Sequence, residues 1–569
     1  MKKWKVLNKR QVIKDKQKVG QVIKILLGNR EIKTKKEIGE FLDPKIETVT
    51  AKSVGIDDRN LKKAIARIKL AIKNKEQIVV FGDYDVDGIC GTAILWETLN
   101  SLHAKVMPYI PHRIDEGYGL SETGIKNLEL KIKNCKLIIT VDNGIVANKA
   151  VDFANEQSID VIITDHHVPS NPSTGSGLPK ALAIVHTTKL CGTGVAWLLA
   201  QQFIIHNSEF RINDKHLELV ALATVADLVP LKWSNRTLLK FGLEELRKTK
   251  RVGLLELFKE SGLEKESIGV YEIGHMIAPR LNAMGRLEYA MDSLRLICTN
   301  NQKRAENLAR LLGSTNKERQ DLTLQAVLHA KDYVVSQRAK LKSLLFIAHE
   351  SYEQGVIGLV AGKMVEEFYR PSIVVSIGEK YSKASARSIS GFNIIEFIRE
   401  HSSYLVDAGG HPMAAGFTVE TAKLLELQKT LEDRAELLID KDLLTRSLKI
   451  DCELSLSFVD LNLYEALQKL GPFGMGNPEP TFISRSVVVE DVRLVGAEGK
   501  HLKFKFRIPA SQRGEQNSEF RIEGIGFGMG ETSTKIHIGE KVDIVYTIDE
   551  NEWNGEKRLQ LKIKDLRKV

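Results

Sequence analysis

The first part of the chain alternates short apolar runs with segments of helical periodicity. From Asn60 to Asn74 apolar residues recur at the spacing of an amphipathic helix, and further helical segments separate the apolar runs that follow. Strands that alternate with helices favour a parallel, doubly wound sheet, in which ligands bind at the carboxyl ends of the strands. The predicted strands are Ile78–Phe81, Lys105–Ile110, Leu137–Val141 and Val161–Thr164.

The patterns change twice towards the end of the chain. Two apolar runs, Leu344–Ala348 and Ser372–Ile377, predict a second α/β unit, and a stretch with few helix breakers before it predicts a long connecting helix. After about residue 445, alternating segments such as HLKFKFR predict a small antiparallel barrel, with Leu502, Phe504 and Phe506 in its core. The chain is therefore expected to be a multidomain α/β protein, divided into a helical N-terminal extension (1–50), a first α/β domain (51–300), a connecting helix (301–338), a second α/β domain (339–440) and an oligonucleotide-binding-type barrel (445–569).

Composition narrows the class of protein. The chain has 569 residues, enough for three or four domains at roughly 100–200 residues each, and its net charge of +10 fits a polyanionic partner. Five scattered cysteines without a C-x-x-C pair indicate reduced thiols in a cytoplasm. No signal peptide is recognisable, and no apolar run reaches the roughly 18–20 residues of a membrane span.

Acidic and histidine residues follow three of the predicted strands. Asp83, Asp85 and Asp87 follow the first, Asp142 the third, and Asp165-His166-His167 the fourth, while Asp227 precedes a proline-terminated break. Alone, the first cluster could be a solvated acidic turn. Because the carboxyl ends of parallel strands share one edge, the groups together predict a site for two manganese or magnesium ions that promotes phosphoester or phosphoanhydride hydrolysis. The expected ligands are Asp85, Asp87, Asp142, His166 and Asp227, with Asp142 bridging the ions.

Three further motifs carry chemistry suited to phosphate. IAPRLNAMGR (277–286) places two arginines in a predicted loop, although these arginines could instead pair with structural acids. SARS (385–388) combines a hydroxyl with a guanidinium, and AGGHPMAAGF (408–417) forms a glycine-rich turn around His411.

In this order, the motifs VVFGDYDVDG, ITVDNGI, TDHH and ATVADLVPL resemble the four signature motifs of the DHH phosphoesterase superfamily. PHRIDEGYGL, IAPRLNAMGR, SARS, GGHPMAAGF and GPFGMGNPEP resemble its RecJ subfamily. That resemblance implies a single-strand-specific exonuclease that degrades DNA from the 5′ end with manganese or magnesium, in repair and recombination. It also implies a DHH catalytic domain, a connecting helix, a DHH-associated domain and an oligonucleotide-binding barrel, with DNA passing between the first two α/β domains.

The resemblance also implies roles for single residues. The five expected ligands match the family's metal ligands. His167 matches the histidine that faces the scissile phosphate, and Asp83, grouped with it as catalytic, matches a residue beside the site. The positions implied to bind the substrate are Arg113, Ser385 and Arg387, which hold the 5′-terminal phosphate, and Arg280 and His411, which match further substrate-contacting positions.

Two departures from the family pattern change the expected site. Phe81 stands where many DHH enzymes have a histidine ligand, so one ion would be held with fewer protein ligands. The segment AIVHTTKLCGTGVAW (183–197) lacks the usual Asn-Pro and is shorter, which could alter the rim of the site.

Two alternative functions remain open at this point. One is a DHH phosphodiesterase of very short oligonucleotides or cyclic dinucleotides, although its shorter members lack the C-terminal barrel. The other is a non-catalytic DHH scaffold of a replication complex, although such proteins lose the metal ligands that this chain retains. The protein is expected to act as a monomer on single-stranded DNA, with a helicase or single-strand-binding protein as partner by family analogy.

Overall fold

The computed structural model describes residues 2–13, 19–113, 115–117, 119–169, 177–204, 216–336, 341–508, 520–553 and 556–569, and these fall into two compact units. The first unit comprises 46–229 and 237–446, and the second comprises 2–45, 230–236 and 447–569. The strands are β1 (Lys3–Ile13), β2 (Gln77–Gly82), β3 (Val106–Tyr109), β4 (Cys135–Val141), β5 (Asp160–Asp165), β6 (Ala183–His186), β7 (Leu345–His349), β8 (Ser372–Ser376), β9 (Tyr381–Arg387), β10 (Leu405–His411), β11 (Ala414–Glu420), β12 (Ser447–Leu454), β13 (Phe482–Val495), β14 (His501–Ile508), β15 (Phe520–Gly526), β16 (Lys541–Trp553) and β17 (Glu556–Lys568). The helices are α1 (Val19–Asn29), α2 (Lys35–Leu42), α3 (Ala51–Val54), α4 (Asp58–Lys73), α5 (Val86–Ser101), α6 (Glu122–Lys131), α7 (Asn148–Glu156), α8 (Gly192–Ile204), α9 (Leu217–Ala226), α10 (Trp233–Arg247), α11 (Val252–Glu260), α12 (Val270–Glu272), α13 (Ala278–Leu287), α14 (Met291–Cys298), α15 (Gln302–Ser336), α16 (Ile357–Phe368), α17 (Ile394–Arg399), α18 (Leu424–Leu438) and α19 (Leu461–Gln468).

A parallel sheet organises the first half of the first unit. Its strand order is β3-β2-β4-β5-β6, and all four strand pairs are parallel, which confirms the predicted doubly wound sheet. The central strands are buried because helices cover both faces, as their near-continuous apolar sequences require. The carboxyl ends of β2, β4 and β5 therefore meet at one edge, and that edge carries the acidic residues.

The second sheet of this unit has the order β10-β11-β9-β8-β7, in which only β7 and β8 run parallel. The glycine-rich motif around His411 is a β-hairpin formed by β10 and β11, and SARS begins within β9. The 35-residue helix α15 lies in the segment for which the sequence predicts a long helix. Near its end, Ala326, Val327 and Ala330 pack against apolar residues of α16.

The second unit contains a closed barrel of the strands β13-β14-β15-β17-β16, completed by pairing of β13 with β16. Side chains along β14 alternate between buried and half-buried, so Leu502, Phe504 and Phe506 lie in the core as predicted. In the described part of the chain, no helix combines the length and apolarity needed to cross a membrane.

The prediction that residues 1–50 are helical is wrong for the first segment. Lys3–Ile13 is a strand that pairs in parallel with β12, whereas α1 and α2 form as expected. Trp4 and Val6 alternate with lysines at the period of a strand and pack near Leu448, so the alternating pattern, not the high lysine content, decides the structure.

Candidate active site and metal centre

The acidic turn between β2 and α5 is held by its own aspartates. Asp85 is the N-cap of α5, and its Oδ1 accepts hydrogen bonds from the backbone N–H of Asp87 (2.9 Å) and of Gly88 (3.1 Å). A Cβ at position 88 would lie 2.5 Å from backbone atoms of Asp83, so only glycine allows the turn to close this tightly. The strand–turn–helix motif thus fixes three carboxylates within a few residues.

The beginning of α8 supports this turn from the other side. The Asp87 carboxylate accepts hydrogen bonds from the backbone N–H of Gly192 (2.6 Å) and of Thr193 (2.7 Å). A Cβ at position 192 would lie 2.6 Å from the Cβ of Asp142, so this glycine permits the close approach. Both residues belong to the segment 183–197 that departs from the family pattern. This segment supports two of the expected ligands.

Three of the expected carboxylate ligands converge on the imidazole nitrogen of a fourth ligand, His166. His166 Nε2 lies 3.1 Å from Asp142 Oδ1, 3.6 Å from Asp227 Oδ2 and 3.7 Å from Asp87 Oδ2. Asp142 follows β4 with a positive φ of 62°, which aims its backbone sharply out of the strand. Residues far apart in sequence are thereby brought within the space of a metal site.

The donor set fits divalent cations. Three buried carboxylate oxygens, Asp83 Oδ1, Asp142 Oδ1 and Asp227 Oδ2, have no hydrogen-bond partner. Buried, unpaired carboxylates are costly unless they are protonated or bind a cation. Three groups of side chains each have ligand atoms within 4.8 Å of one another: Asp87, His166 and Asp227; Asp83, Asp85 and Asp142; and Asp142, His166 and His167. Asp83, which the sequence assigned to the catalytic group, thus lies among the possible ligands.

Electrostatics support the same interpretation. Burial, followed by the charge of neighbouring aspartates, raises the pKa of Asp83, Asp85 and Asp142. The same causes raise the pKa of Asp227 to about 9, while burial lowers the pKa of His166. Divalent cations bound among these side chains would offset the repulsion and favour the deprotonated ligands.

His167 belongs to a second layer next to these ligands. Its Nδ1 lies 2.8 Å from Asp165 Oδ1, and the ring of His411 stacks on it at 6.0 Å with an interplanar angle of 15°. Burial lowers the pKa of His167, but the hydrogen bond and charge of Asp165 outweigh it, and the net direction is upward. Asp165 also accepts three backbone N–H groups, so its carboxylate is itself fixed and orients the imidazole ring of His167.

Phe81 contributes no ligand. Its ring is fully buried and stacks on Tyr109, with ring centroids 5.3 Å apart. The side chain packs in the core beneath the sheet edge, so Phe81 is a structural residue in this chain.

Four arginines form a second cluster, here called the arginine cluster. Burial and the charges of the other three lower the pKa of Arg286 to about 10, and none of the four has a carboxylate partner within 4.0 Å among the described residues. Arg387 Nη1 donates to Ser385 Oγ (3.1 Å) and to the Ala386 carbonyl (2.8 Å). Unpaired, crowded guanidinium groups form a site for an anion such as phosphate. The members are Arg113, Arg286, Arg319 and Arg387.

The acidic turn and the arginine cluster are adjacent. The guanidinium of Arg113 lies over the ring of Tyr84, 5.1 Å from its centroid, and Tyr84 is part of the acidic turn. The sequence pointed to Arg113 and Arg387, and it named Arg286 only as one of two arginines in a motif. Arg319 lies within the long helix α15 and had no sequence signal, because a helical arginine is usually a surface residue.

Arg280, unlike these four arginines, pairs with an acidic side chain in the described part of the chain. Its Nε donates to Glu260 Oε2 (2.5 Å) and its Nη1 to the Met276 carbonyl (2.8 Å). Pairing with a structural acid, which the sequence left open, is the arrangement found. The predicted loop at 277–286 is also wrong. It is α13, which begins after a π-helical turn and tolerates Pro279 because the proline lies in the first turn.

Comparison with known proteins agrees with the fold. Residues 77–224 match the DHH family, N-terminal domain, residues 334–437 match the DHHA1 domain, and residues 450–565 match the RecJ OB domain. The parallel sheet with acids and histidines at its strand ends is therefore that of a DHH-family protein.

Whole-chain relatives define the family more narrowly. The chain is 38% identical over 518 residues to the single-stranded-DNA-specific exonuclease RecJ of Bacillus subtilis and 31% identical over 532 residues to that of Dickeya dadantii. These matches cover 89% and 88% of this chain, and 63% and 89% of the respective relatives. The structure of RecJ in complex with Mn²⁺ from Thermus thermophilus superposes with a TM-score of 0.80 at 28% identity, covering 100% of this chain and 80% of that one. The chain belongs to the RecJ family.

Proposed function

We propose that the chain is a metal-dependent exonuclease that degrades single-stranded DNA from the 5′ end, in DNA repair and recombination. The observation that supports this most directly is the adjacency of two clusters. Buried, unpartnered carboxylate oxygens suited to cations lie next to arginines that have no carboxylate partner among the described residues and suit a terminal phosphate. An endonuclease has no need for an end-binding pocket of this kind.

The donor set fits two divalent cations, manganese or magnesium. One group consists of Asp87, His166 and Asp227, and the other of Asp83 and Asp85, with Asp142 within reach of both. Oxygen donors without thiolates exclude a structural zinc site, and the imidazole favours manganese over magnesium. When bound, such ions activate water and stabilise charge on a phosphoryl oxygen.

The residues of the chain position the substrate for hydrolysis. His167 is held through Nδ1 by Asp165, and its raised pKa favours the imidazolium form, in which the other nitrogen can donate a hydrogen bond to an oxygen of the scissile phosphate. His411 stacks on His167 and brings the β10–β11 hairpin to the same place. Ser385 and Arg387 hold the 5′-terminal phosphate, with Arg113 beside them. The scissile phosphate and the 5′-terminal phosphate thus bind at different sites, and this difference gives the reaction its direction from the 5′ end.

The decisive experiment uses a single strand of several tens of nucleotides labelled at its 3′ end, incubated with Mn²⁺. We expect shortening from the 5′ end, with no cleavage of a matched duplex and none by Asp142→Ala. Hydrolysis of di- to tetranucleotides alone would refute the proposal in favour of a short-oligonucleotide phosphodiesterase. Equal inactivity of the wild type and of Asp142→Ala would indicate a non-catalytic scaffold.

We also propose that the protein acts as a monomer in the cytoplasm, on single strands supplied by a helicase or protected by a single-strand-binding protein. Five free cysteines, four of them buried, support a reducing compartment. The partners rest on the family resemblance alone. Size-exclusion chromatography with light scattering tests the oligomeric state, and co-purification from the native host tests the partners.

A further inference from the structure

We infer that α13 fixes the separation between the acidic turn and the arginine cluster, and that Asn282 is the positioning residue through which α13 holds the turn. The part of this inference that concerns DNA rests on the proposed function. The part that concerns metal binding by the acidic turn does not, because it can be measured without DNA.

Asn282 completes the N-terminal capping of α5 from outside the helix. The first backbone N–H groups of a helix have no partner within it. Asp85 caps two of them with Oδ1, and Asn282 Oδ1 accepts the remaining one, from Val86, at 2.9 Å. If Asn282 were absent, the Val86 N–H would compete for the carboxylate of Asp85. The amide of Asn282 therefore leaves Asp85 free to serve as cap and as ligand together.

A second contact locks α13 against the same turn. A Cβ at Gly285 would lie 2.5 Å from the Tyr84 carbonyl oxygen and 3.2 Å from the Tyr84 Cβ. Tyr84 lies between two of the possible ligands, Asp83 and Asp85. The backbone of α13 therefore directly sets the position of the acidic turn. Contacts this close leave little freedom for one element to move without the other.

The other side of α13 reaches the arginine cluster. Arg286, one residue after Gly285, is a member of the cluster and donates from Nη1 to the Gly355 carbonyl (3.1 Å). Gly358 lies three residues after Gly355. A Cβ at Gly358 would lie 2.9 Å from Arg387 Nη2 and 3.0 Å from Ser385 Oγ. An unbroken set of contacts therefore runs from the acidic turn through α13 to the residues that hold the terminal phosphate.

This arrangement has a functional consequence. When the 5′-terminal phosphate lies at the arginine cluster, its distance from the metal ligands decides which phosphodiester bond reaches them. A rigid α13 keeps this distance constant, so one particular phosphodiester bond reaches the metal ligands and the product has a uniform length. Loosening the turn should therefore weaken metal binding and also blur the length of the product.

The test compares Asn282→Ala with Asn282→Gln, which retains a neutral amide oxygen as acceptor for the Val86 N–H. Mn²⁺ binding to the DNA-free protein is measured by electron paramagnetic resonance, and product lengths are resolved on a denaturing gel. Asn301→Ala is the matched control, because Asn301 Oδ1 caps α15 through the Arg304 N–H (2.9 Å) without touching the site. Asn282→Leu removes the acceptor at similar volume and replaces the alanine variant if that variant fails to fold.

We expect Asn282→Ala to raise the Kd for Mn²⁺ by about 10-fold or more, the usual cost of losing a residue that orients metal ligands. Its products should also vary in length, while Asn282→Gln and Asn301→Ala stay close to the wild type. A fall in Tm with an unchanged Mn²⁺ Kd and a uniform product would overturn the inference and leave Asn282 a merely structural cap. If the wild type binds Mn²⁺ but degrades no DNA, the proposed function fails, while the comparison of Kd values still tests the role of Asn282.

Discussion

Arg387→Ala should abolish most of the preference for a 5′-phosphorylated end. The Arg387 guanidinium is largely removed from solvent, lies among three other arginines and has no carboxylate partner within 4.0 Å among the described residues. A hydrogen bond to a charged group contributes about 1.5–3 kcal/mol. Since 1.4 kcal/mol corresponds to a factor of ten, the loss amounts to about 10- to 150-fold in the ratio of kcat/KM for phosphate over hydroxyl ends.

The assay uses one single-stranded sequence, labelled at its 3′ end and prepared with either a 5′-phosphate or a 5′-hydroxyl. Arg387→Lys keeps the charge but loses the forked geometry, so we expect an intermediate ratio. Arg295→Ala is the charge-matched control, because Arg295 is exposed and pairs with Asp292 within one helix. Its ratio should equal that of the wild type.

Stability measurements separate a binding role from a structural one. Arg387 adds to the positive charge that helps to depress the pKa of Arg286, so its removal relieves repulsion and should leave the Tm unchanged or higher. An unchanged end preference in Arg387→Ala would refute the phosphate pocket. A large fall in Tm would show that the residue stabilises the fold instead.

Three other outcomes follow from the site. Asp142→Asn should lower Mn²⁺-dependent hydrolysis by about 10³-fold or more, since a metal ion supplies several kcal/mol of transition-state stabilisation. The same substitution should raise the metal-free Tm, because it relieves repulsion between carboxylates. A DNA digest measures the first effect and a thermal melt the second. Because the pKa of Asp227 is raised to about 9, the metal-free stability of the fold should decline from about pH 4 to pH 9. For the same reason, Mn²⁺ affinity should rise up to pH 9, by about tenfold per pH unit for each proton that the metal displaces. If calorimetry at several pH values showed no such trend, the assignment of Asp227 would be contradicted. Arg280→Ala should lower the Tm through loss of the Glu260 pair without altering the 5′-phosphate preference, and an altered preference would restore Arg280 to the substrate site.

The metal centre was predictable because its signals are local. Alternating apolar runs predicted parallel strands, and strands that run in parallel end at one edge, so the acids after β2, β4 and β5 had to meet. Capping by Asp85 and the glycine that follows are likewise properties of a few consecutive residues. The aromatic core of the barrel followed from strict alternation along β14.

Other features depend on contacts between distant segments, which no local pattern encodes. The N-terminal lysine-rich stretch became a strand because β12, more than 400 residues later, offered an edge to pair with. Arg319 became part of the arginine cluster only through the packing of α15, whereas Arg280 pairs with Glu260 instead.

The sequence by itself determined the strands of the parallel sheet and which side chains stand at their ends, because periodicity and capping act over a few residues. Only the tertiary structure decided which of those side chains share a site. It brought Gly192 and Thr193 against Asp87 and Asn282 against Val86. It also gathered the four arginines with no carboxylate within 4.0 Å among the described residues. The physical reason is that hydrogen bonds and charge repulsion act over a few ångströms in space, whatever the separation along the chain.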